Sequence, residues 1–155
     1  MARIYLASSW RNQHQEKILV KLRDAGHQVY DFKNPDHDHF CDDPFPSISC
    51  GGFSWTNINP NWQNWTNQEY IKHLTTNPVA AQGFLKDFRA MQWADTCVLL
   101  LPCGRSAHIE AGYFVGANKR LIILMAEEEQ EPELMYLMAN HICTNIGETL
   151  RILKA

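Results

Sequence analysis

The chain has 155 residues, of which 45% are apolar and 20% are charged, and its formal net charge is -3. This length and composition are typical of one globular domain with a buried core. The 14 basic residues are scattered, which argues against a nucleic acid polymer as ligand, because phosphate contacts require clustered Lys and Arg. No apolar run is long enough for a membrane span and the N-terminus lacks a signal-peptide layout, so we expect a cytoplasmic protein.

The five cysteines show no CxxC or other metal-ligand spacing. Three cysteines in or beside apolar runs are predicted to be small core residues: Cys97, Cys103 and Cys143. Cys41 and Cys50 lie in a polar loop and could pair, but a cytoplasmic chain would keep them reduced. The segment 37–41 (HDHFC) matches no common zinc spacing, so we predict neither a metal nor a cofactor.

In chain order, the apolar pattern predicts strands that alternate with helices. A strand at Arg3–Ala7 precedes a helix at Arg11–Ala25, which Gly26 ends. A second strand at His27–Phe32 leads into a long loop at Asn34–Pro60, rich in Pro, Asp, Asn and Gly.

The following elements continue this alternation. Thr66 and Glu69 form a capping box that begins a helix. A helix at Pro78–Ala94 is predicted to bury four apolar residues: Phe84, Leu85, Phe88 and Met91. The remaining predicted strands are Thr96–Leu101, Arg120–Met125 and His141–Cys143, and the remaining helices are Ser106–Ala117, Pro132–Met138 and Ile146–Leu153.

This order predicts an α/β fold: a flavodoxin-like doubly wound parallel sheet of about five strands, in the order 2-1-3-4-5. We expect a single domain over residues 1–155, since no repeat or linker interrupts it. Ligands of such sheets bind at the carboxyl ends of the strands, where the strand order reverses. The segments 7–10 and 102–106 and the long loop reach this edge.

One carboxylate stands out at this edge. The segment 102–112 (PCGRSAHIEAG) follows a buried strand and opens a helix. Gly104 and Ser106 offer backbone N–H groups, and Ser106 is a favourable N-cap, so an anion or hydroxyl can bind there. Glu110 precedes Ala111 and Gly112, and such small neighbours favour close approach of a ligand. The alternative is a first-turn glutamate that complements the helix dipole.

Three further polar residues have competing interpretations. Tyr5 lies inside the first strand, where it is either part of the site or a core aromatic. Asp87 lies among apolar residues on a predicted helix and is either functional or an exposed helix residue. Asp95, just before the third strand, is interpreted as a turn or cap residue.

Three segments carry a family resemblance: 4–10 (IYLASSW), 86–102 (KDFRAMQWADTCVLLLP) and 104–119 (GRSAHIEAGYFVGANK). Together they resemble the nucleoside 2-deoxyribosyltransferase family, which includes deoxynucleotide and CMP N-glycosidases. The resemblance implies a double displacement at the anomeric carbon, with Glu110 as the nucleophile. It also implies that Tyr5 orients the nucleophile and that Asp87 lies near the departing base. A carboxylate suits this chemistry, because an N-glycosidic bond breaks through an oxocarbenium-like state.

The chain departs from the family pattern six positions before the nucleophile, where transferases carry an acidic residue and this chain has Gly104. Members that act on nucleoside monophosphates use serine hydroxyls and backbone N–H groups instead, so the resemblance favours a nucleotide-like substrate. Arg105 suits phosphate as a bidentate donor, although a solvent-facing loop residue is the alternative. The candidate substrate-binding residues here are Ser8, Ser9, Trp10, Gly104, Arg105 and Ser106.

The long loop adds an aromatic cluster: Phe53, Trp55, Trp62 and Trp65. Trp55 and Trp62 are candidates to stack a flat base, since aromatic side chains hold splayed-out bases in this way. The same cluster also fits a self-packing flap or a subunit contact.

Two other functions remain open. A TIR-like NAD glycohydrolase or cyclase also uses one glutamate on a flavodoxin-like fold, and a non-catalytic nucleotide sensor needs only the binding residues. A flavin site is disfavoured, because the loop SSWRNQ at 8–13 has two hydroxyls and no glycine. The resemblance further implies a homodimer or larger homo-oligomer, with Pro132–Asn140 as the candidate contact, and a small nucleoside or nucleotide as the ligand.

Overall fold

The computed structural model describes residues 1–35, 51–128 and 131–154. These residues form two compact units, Met1–Asp31 with Met91–Ala155, and Phe32–Ala90. The single-domain expectation stays a prediction. Among the described residues, no helix is both long enough and apolar enough to cross a bilayer.

The first unit contains a five-stranded parallel sheet in the order β2-β1-β3-β4-β5, which confirms the predicted topology. Its strands are β1 Arg3–Ala7, β2 Gln28–Tyr30, β3 Thr96–Leu101, β4 Arg120–Met125 and β5 His141–Cys143. Strand β2 is shorter than predicted, so Asp31 lies just beyond its carboxyl end. The strands β3 and β4 are fully or nearly fully buried, as continuous apolar runs predict.

Helices pack on both faces of this sheet. The α-helices among the described residues are α1 Gln15–Asp24, α2 Asn67–Thr76, α3 Pro78–Trp93, α4 Arg105–Gly116 and α5 Ile146–Lys154. On one face, strand residues such as Ile4, Val98 and Ile122 form a core with Leu22 of α1 and Leu153 of α5. On the other face, Phe114 of α4 contacts Tyr5 of β1, with ring centroids 5.9 Å apart. Helices on both faces make the fold doubly wound.

Asp95 fastens the amino ends of β1 and β3. Its carboxylate accepts the Arg3 backbone N–H at 3.2 Å and the Thr96 hydroxyl at 2.9 Å. The Arg3 guanidinium lies 3.4 Å from the same carboxylate. These contacts are at the edge opposite the predicted site, so Asp95 has the turn and cap role expected of it.

The second unit contains α2 and most of α3. Thr66 and Glu69 form the predicted capping box, with each side chain bonded to the other residue's backbone N–H. The prediction for α3 was wrong at two residues, because Phe84 and Leu85 are 61% and 43% exposed. Phe88 is half-buried, and the two phenylalanine rings stack at a centroid distance of 5.4 Å.

Two further predictions need correction in the first unit. Helix α1 begins at Gln15 rather than Arg11, because residues 8–14 form turns at the carboxyl end of β1. Cys103 is half-buried rather than a core residue, whereas Cys97 and Cys143 are buried as predicted. Gly26 follows the helix end with φ +87°, the left-handed conformation that favours glycine at this position.

Candidate active site

Glu110 and Tyr5 lie on the same face of the sheet. Tyr5 is fully buried on β1, paired in register with Cys97 of β3, and its ring packs against Phe114 of α4. Glu110 lies one helical turn before Phe114, so the two side chains project from the same side of α4. The geometry therefore directs the half-buried Glu110 toward the β1–β3 junction, where the strand order reverses.

The electrostatics of Cys97 support this placement. Burial raises the pKa of the Cys97 thiol well above its ordinary value, and the negative charge of Glu110 raises it further. Because Cys97 is paired in register with Tyr5, the Glu110 carboxylate that acts on the Cys97 thiol lies near this strand pair. Glu110 and Tyr5 therefore lie in the same region, between α4 and the β1–β3 pair.

The helix-dipole alternative for Glu110 is weakened by the position of α4. The helix begins at Arg105, which places Glu110 in the second turn. The field of a helix terminus acts mainly within the first turn, so it does not account for a glutamate here. The Ser106 N-cap prediction was also wrong, since Gly104 occupies the N-cap and no side chain caps this helix.

The loops after β1 and β3 meet at the carboxyl edge. The Ser8 hydroxyl donates to the Leu100 carbonyl at 3.0 Å, and the Ser9 hydroxyl accepts the Arg11 N–H at 3.2 Å. Trp10 is 50% exposed, and Arg105 and Ser106 are exposed in the first turn of α4. The structure therefore brings the predicted residues of these two loops to one edge of the sheet.

Asn12 joins the two loops, and the sequence pattern did not identify it. It is buried, donates through Nδ2 to the Pro102 carbonyl at 3.0 Å and accepts the His14 N–H at 2.8 Å. A buried amide with both ends bonded fixes the relative position of the segments that it connects. Its signal in the sequence is weak, because a polar residue just before a helix usually indicates only a turn.

Two other polar contacts extend this network. Gln15 at the start of α1 donates to the Asp31 carboxylate at 2.8 Å, and both residues are buried. His14 lies 2.8 Å from Glu127, beyond the end of β4. Gln15 was recognisable in the sequence, since it continues the buried stripe formed by Ile18, Leu19 and Leu22.

The remaining candidates belong to the second unit. Asp87 lies half-buried on α3, beside the buried Lys86. The Trp55 ring contacts three aromatic rings of the same unit at centroid distances of 4.9–5.9 Å: Phe53, Trp65 and Tyr70. This arrangement fits the self-packing alternative for Trp55. Trp62 is half-buried and begins a short 3₁₀ helix.

A glycine keeps this aromatic cluster close to α3. A Cβ atom on Gly83 would lie 2.7 Å from the Phe53 side chain, closer than real contacts allow. The unit therefore packs an aromatic ring directly against helix backbone.

In residues 1–35, 51–128 and 131–154, no group of three or more His, Cys, Asp or Glu side chains could hold a metal ion. The segment 37–41 and the pair Cys41 and Cys50 lie outside the described residues.

Two solved structures are similar to this chain in fold. No family model and no curated protein matches this chain. The 2-deoxyribosyltransferase of Bacillus psychrosaccharolyticus superposes with a TM-score of 0.60 and 18% identity, over 96% of this chain and 90% of that one. The CMP N-glycosidase BcmB of Clostridium botulinum superposes with a TM-score of 0.50 and 18% identity, over 99% of each chain. The chain shares the fold of these two enzymes.

Proposed function

We propose that the chain cleaves or exchanges the N-glycosidic bond of a nucleoside or nucleotide. The main support is that Glu110 lies one turn before Phe114, the α4 residue that packs against Tyr5 near the strand-order reversal. The fold is shared with a 2-deoxyribosyltransferase and a CMP N-glycosidase. The assignment of roles to Glu110, Tyr5 and Asp87 comes from the family resemblance of the sequence.

In the proposed reaction, a Glu110 oxygen attacks C1′ and the C1′–N bond breaks. The base leaves with the bonding electron pair and takes up a proton, for which we propose Asp87 as the donor. Water then attacks C1′ in a hydrolase, or a second base does so in a transferase, and the Glu110 carboxylate is released. Two inversions at C1′ give net retention of configuration.

We propose that the edge loops bind the substrate's polar end. Gly104 leaves the first-turn N–H groups of α4 without a side-chain cap, and Arg105, Ser106 and Ser9 lie at the same edge. These groups suit a phosphate, so a nucleoside monophosphate is the favoured substrate. Trp10, which is half exposed at this edge, is proposed to contact the base or sugar. A binding role for Trp55 and Trp62 stays a prediction from the sequence.

We further propose that the chain forms a homodimer or larger homo-oligomer. In the segment 132–140, Leu134 and Leu137 are 74% and 79% exposed, and Met135 and Met138 are about half exposed. An apolar patch of this kind marks an interaction surface. A cytoplasmic location also stays a prediction from the sequence.

The first test is chromatography of wild type and Glu110→Gln with nucleosides, nucleoside monophosphates and NAD. Wild type is expected to release free base. The rate of base release by Glu110→Gln is expected to be lower by about a thousandfold or more, because the nucleophile is removed. The matched control is Glu16→Gln on the exposed side of α1, which should retain full turnover.

Each other outcome of this experiment has a defined meaning. Release of nicotinamide alone would support a NAD glycohydrolase. Ligand-induced thermal shifts without any turnover would support the sensor function. Full activity in Glu110→Gln would exclude the proposed nucleophile.

A further inference from the structure

A cavity of about 200 Å³ lies on the side of α4 that faces β4. Its floor is formed by Leu121 and Ile123 of β4, and its wall by Gly112 and Val115 of α4. The 3₁₀ helix Leu134–Met138 covers it with Met135 and Met138. All of these residues belong to the first unit, and the lining is mainly apolar.

This cavity is separate from the candidate active site. The α4 residues that line it include His108, Gly112 and Val115, whose spacing places them on one stripe of the helix. Glu110 and Phe114 form a different stripe, directed toward Tyr5 and β1. The cavity and the candidate active site therefore lie on different flanks of α4.

Three polar residues line the cavity: His108, Tyr136 and Glu133, whose carboxylate accepts the Met135 N–H at 2.8 Å. The first two form a hydrogen-bonded pair. His108 Nδ1 lies 2.9 Å from the Gly104 carbonyl, which requires Nδ1 to carry a proton and donate. His108 Nε2 lies 3.0 Å from the Tyr136 hydroxyl, and the two rings stack with an interplanar angle of 11°. A ligand with one polar group could exchange hydrogen bonds with this imidazole–phenol pair.

The size and walls of the cavity select a compact ligand. Engineered apolar cavities of about 150 Å³ stay dry and bind benzene, so a slightly larger one accommodates a single ring. Methionine walls adapt to irregular shapes, and two of them cover this cavity. A Cβ atom added at Gly112 would have no neighbour within 4 Å, so this part of the helix leaves space for a ligand.

We propose that this cavity is a second small-molecule site, which binds a single aromatic ring bearing one hydroxyl or amine. The ring contacts the aliphatic floor and the methionines, and its polar group meets His108 and Tyr136. The site does not depend on the proposed glycosidic chemistry, since Glu110 does not line it.

The test uses phenol as the probe and the methionine methyl groups as reporters. The chain has 5 methionines, so a ¹³C-methyl NMR spectrum has few signals and can be assigned by Met→Leu variants. Phenol is expected to shift the Met135 and Met138 signals saturably, with a dissociation constant of about 1 mM or tighter. Met1, which is 91% exposed, and the buried Met91 should not shift.

Two glycine variants of α4 provide the decisive comparison. Gly112→Leu places a side chain in the cavity and should abolish the shifts. Gly116→Leu makes the same change on the same helix, also with open space at Cβ but away from the cavity, and should keep them. Glu110→Gln should also keep them, which separates this site from the proposed catalytic one.

The proposal fails if phenol causes no saturable shift in wild type, or if Gly112→Leu and Gly116→Leu respond equally. It fails as well if the Met135 and Met138 signals change with protein concentration and not with phenol. That result would show that a second copy of the chain fills the cavity.

Discussion

At the scale of single residues, His27 shows how burial fixes a charge state. The ring is 7% exposed, and its Nδ1 accepts the Ala2 N–H at 3.1 Å. Its Nε2 is buried and has no hydrogen-bond partner among the described residues. Burial, followed by the charge of the N-terminus, lowers the pKa of His27 from the ordinary value of 6.5. The folded chain therefore holds this imidazole neutral.

This lowered pKa makes stability dependent on pH. Below about pH 6.5 the unfolded chain takes up a proton that the folded chain resists, so the stability contributed by His27 is lost as the pH falls through this range. We expect the free energy of unfolding in urea to fall between about pH 7.5 and 5.5 more steeply in wild type than in His27→Asn. Asparagine keeps an acceptor for the Ala2 N–H and does not titrate.

A second histidine provides the control. His141 is exposed on β5, and His141→Asn should retain the wild-type pH dependence. If the free energy of unfolding changed equally with pH in wild type and His27→Asn, His27 would not be the source of the pH dependence.

The sequence predicted the position of Glu110 at the sheet edge but not the contacts that hold the neighbouring loops together. A glutamate followed by small residues after a buried strand is a local pattern, so its position at the sheet edge followed from the fold class. The contacts of Asn12 and Asp31 are made between segments distant in sequence, with Pro102 and Gln15 respectively, and a local pattern does not record them. The N-cap of α4 was predicted incorrectly, because Ser106 and Gly104 both suit the start of a helix and the sequence pattern does not choose between them.

At the scale of elements, Lys119 caps the end of α3. Its ammonium group donates to three backbone carbonyls: Met91 at 2.8 Å, Gln92 at 2.7 Å and Ala94 at 2.6 Å. These carbonyls lack partners within the helix, and a positive charge complements the negative end of the helix dipole. A lysine between α4 and β4 thus stabilises the terminus of another helix.

We expect Lys119→Met to lower the free energy of unfolding by about 1–3 kcal/mol, since several charged hydrogen bonds are lost while the aliphatic volume is kept. Urea denaturation measures this difference. Lys17→Met on the exposed side of α1 is the matched control and should change stability little. An unchanged midpoint for Lys119→Met would show that the cap contributes nothing.

Elements were predictable where burial is continuous. Strands β3 and β4 have the predicted bounds, because their continuous apolar runs have no competing interpretation. Strands β1 and β5 also have the predicted bounds, although β5 is mostly exposed. Two of the four residues predicted to be buried on α3 were predicted incorrectly, since apolar residues occur around most of this helix and the pattern cannot choose among them. Phe84 and Leu85 are consequently exposed where burial was expected. Met91 is buried as predicted.

At the scale of the whole molecule, the apolar segment Leu134–Met138 determines the expected assembly. Leu134 and Leu137 are 74% and 79% exposed, and an exposed apolar patch of this kind marks an interaction surface. We expect light scattering to give a dimer or larger species for wild type and a monomer for Leu137→Glu, because the charge would be buried unpaired.

Val20→Glu is the control for this prediction. Val20 is 50% exposed on α1, and its substitution should leave the assembly unchanged. A monomeric wild type at micromolar concentration would contradict the proposed homo-oligomer.

The central strand pairing also determines when the candidate active site can form during synthesis. β1 pairs on one side with β2, but its partner on the other side is β3, and Arg3 is 92 residues from Asp95. The ribosome therefore releases β1 and β2 long before β3 and α4, and until then one edge of β1 lacks its partner. Unpaired strand edges promote aggregation, so the nascent chain is vulnerable for most of its synthesis. Helix α4, whose Phe114 packs against Tyr5, can join β1 only after this interval.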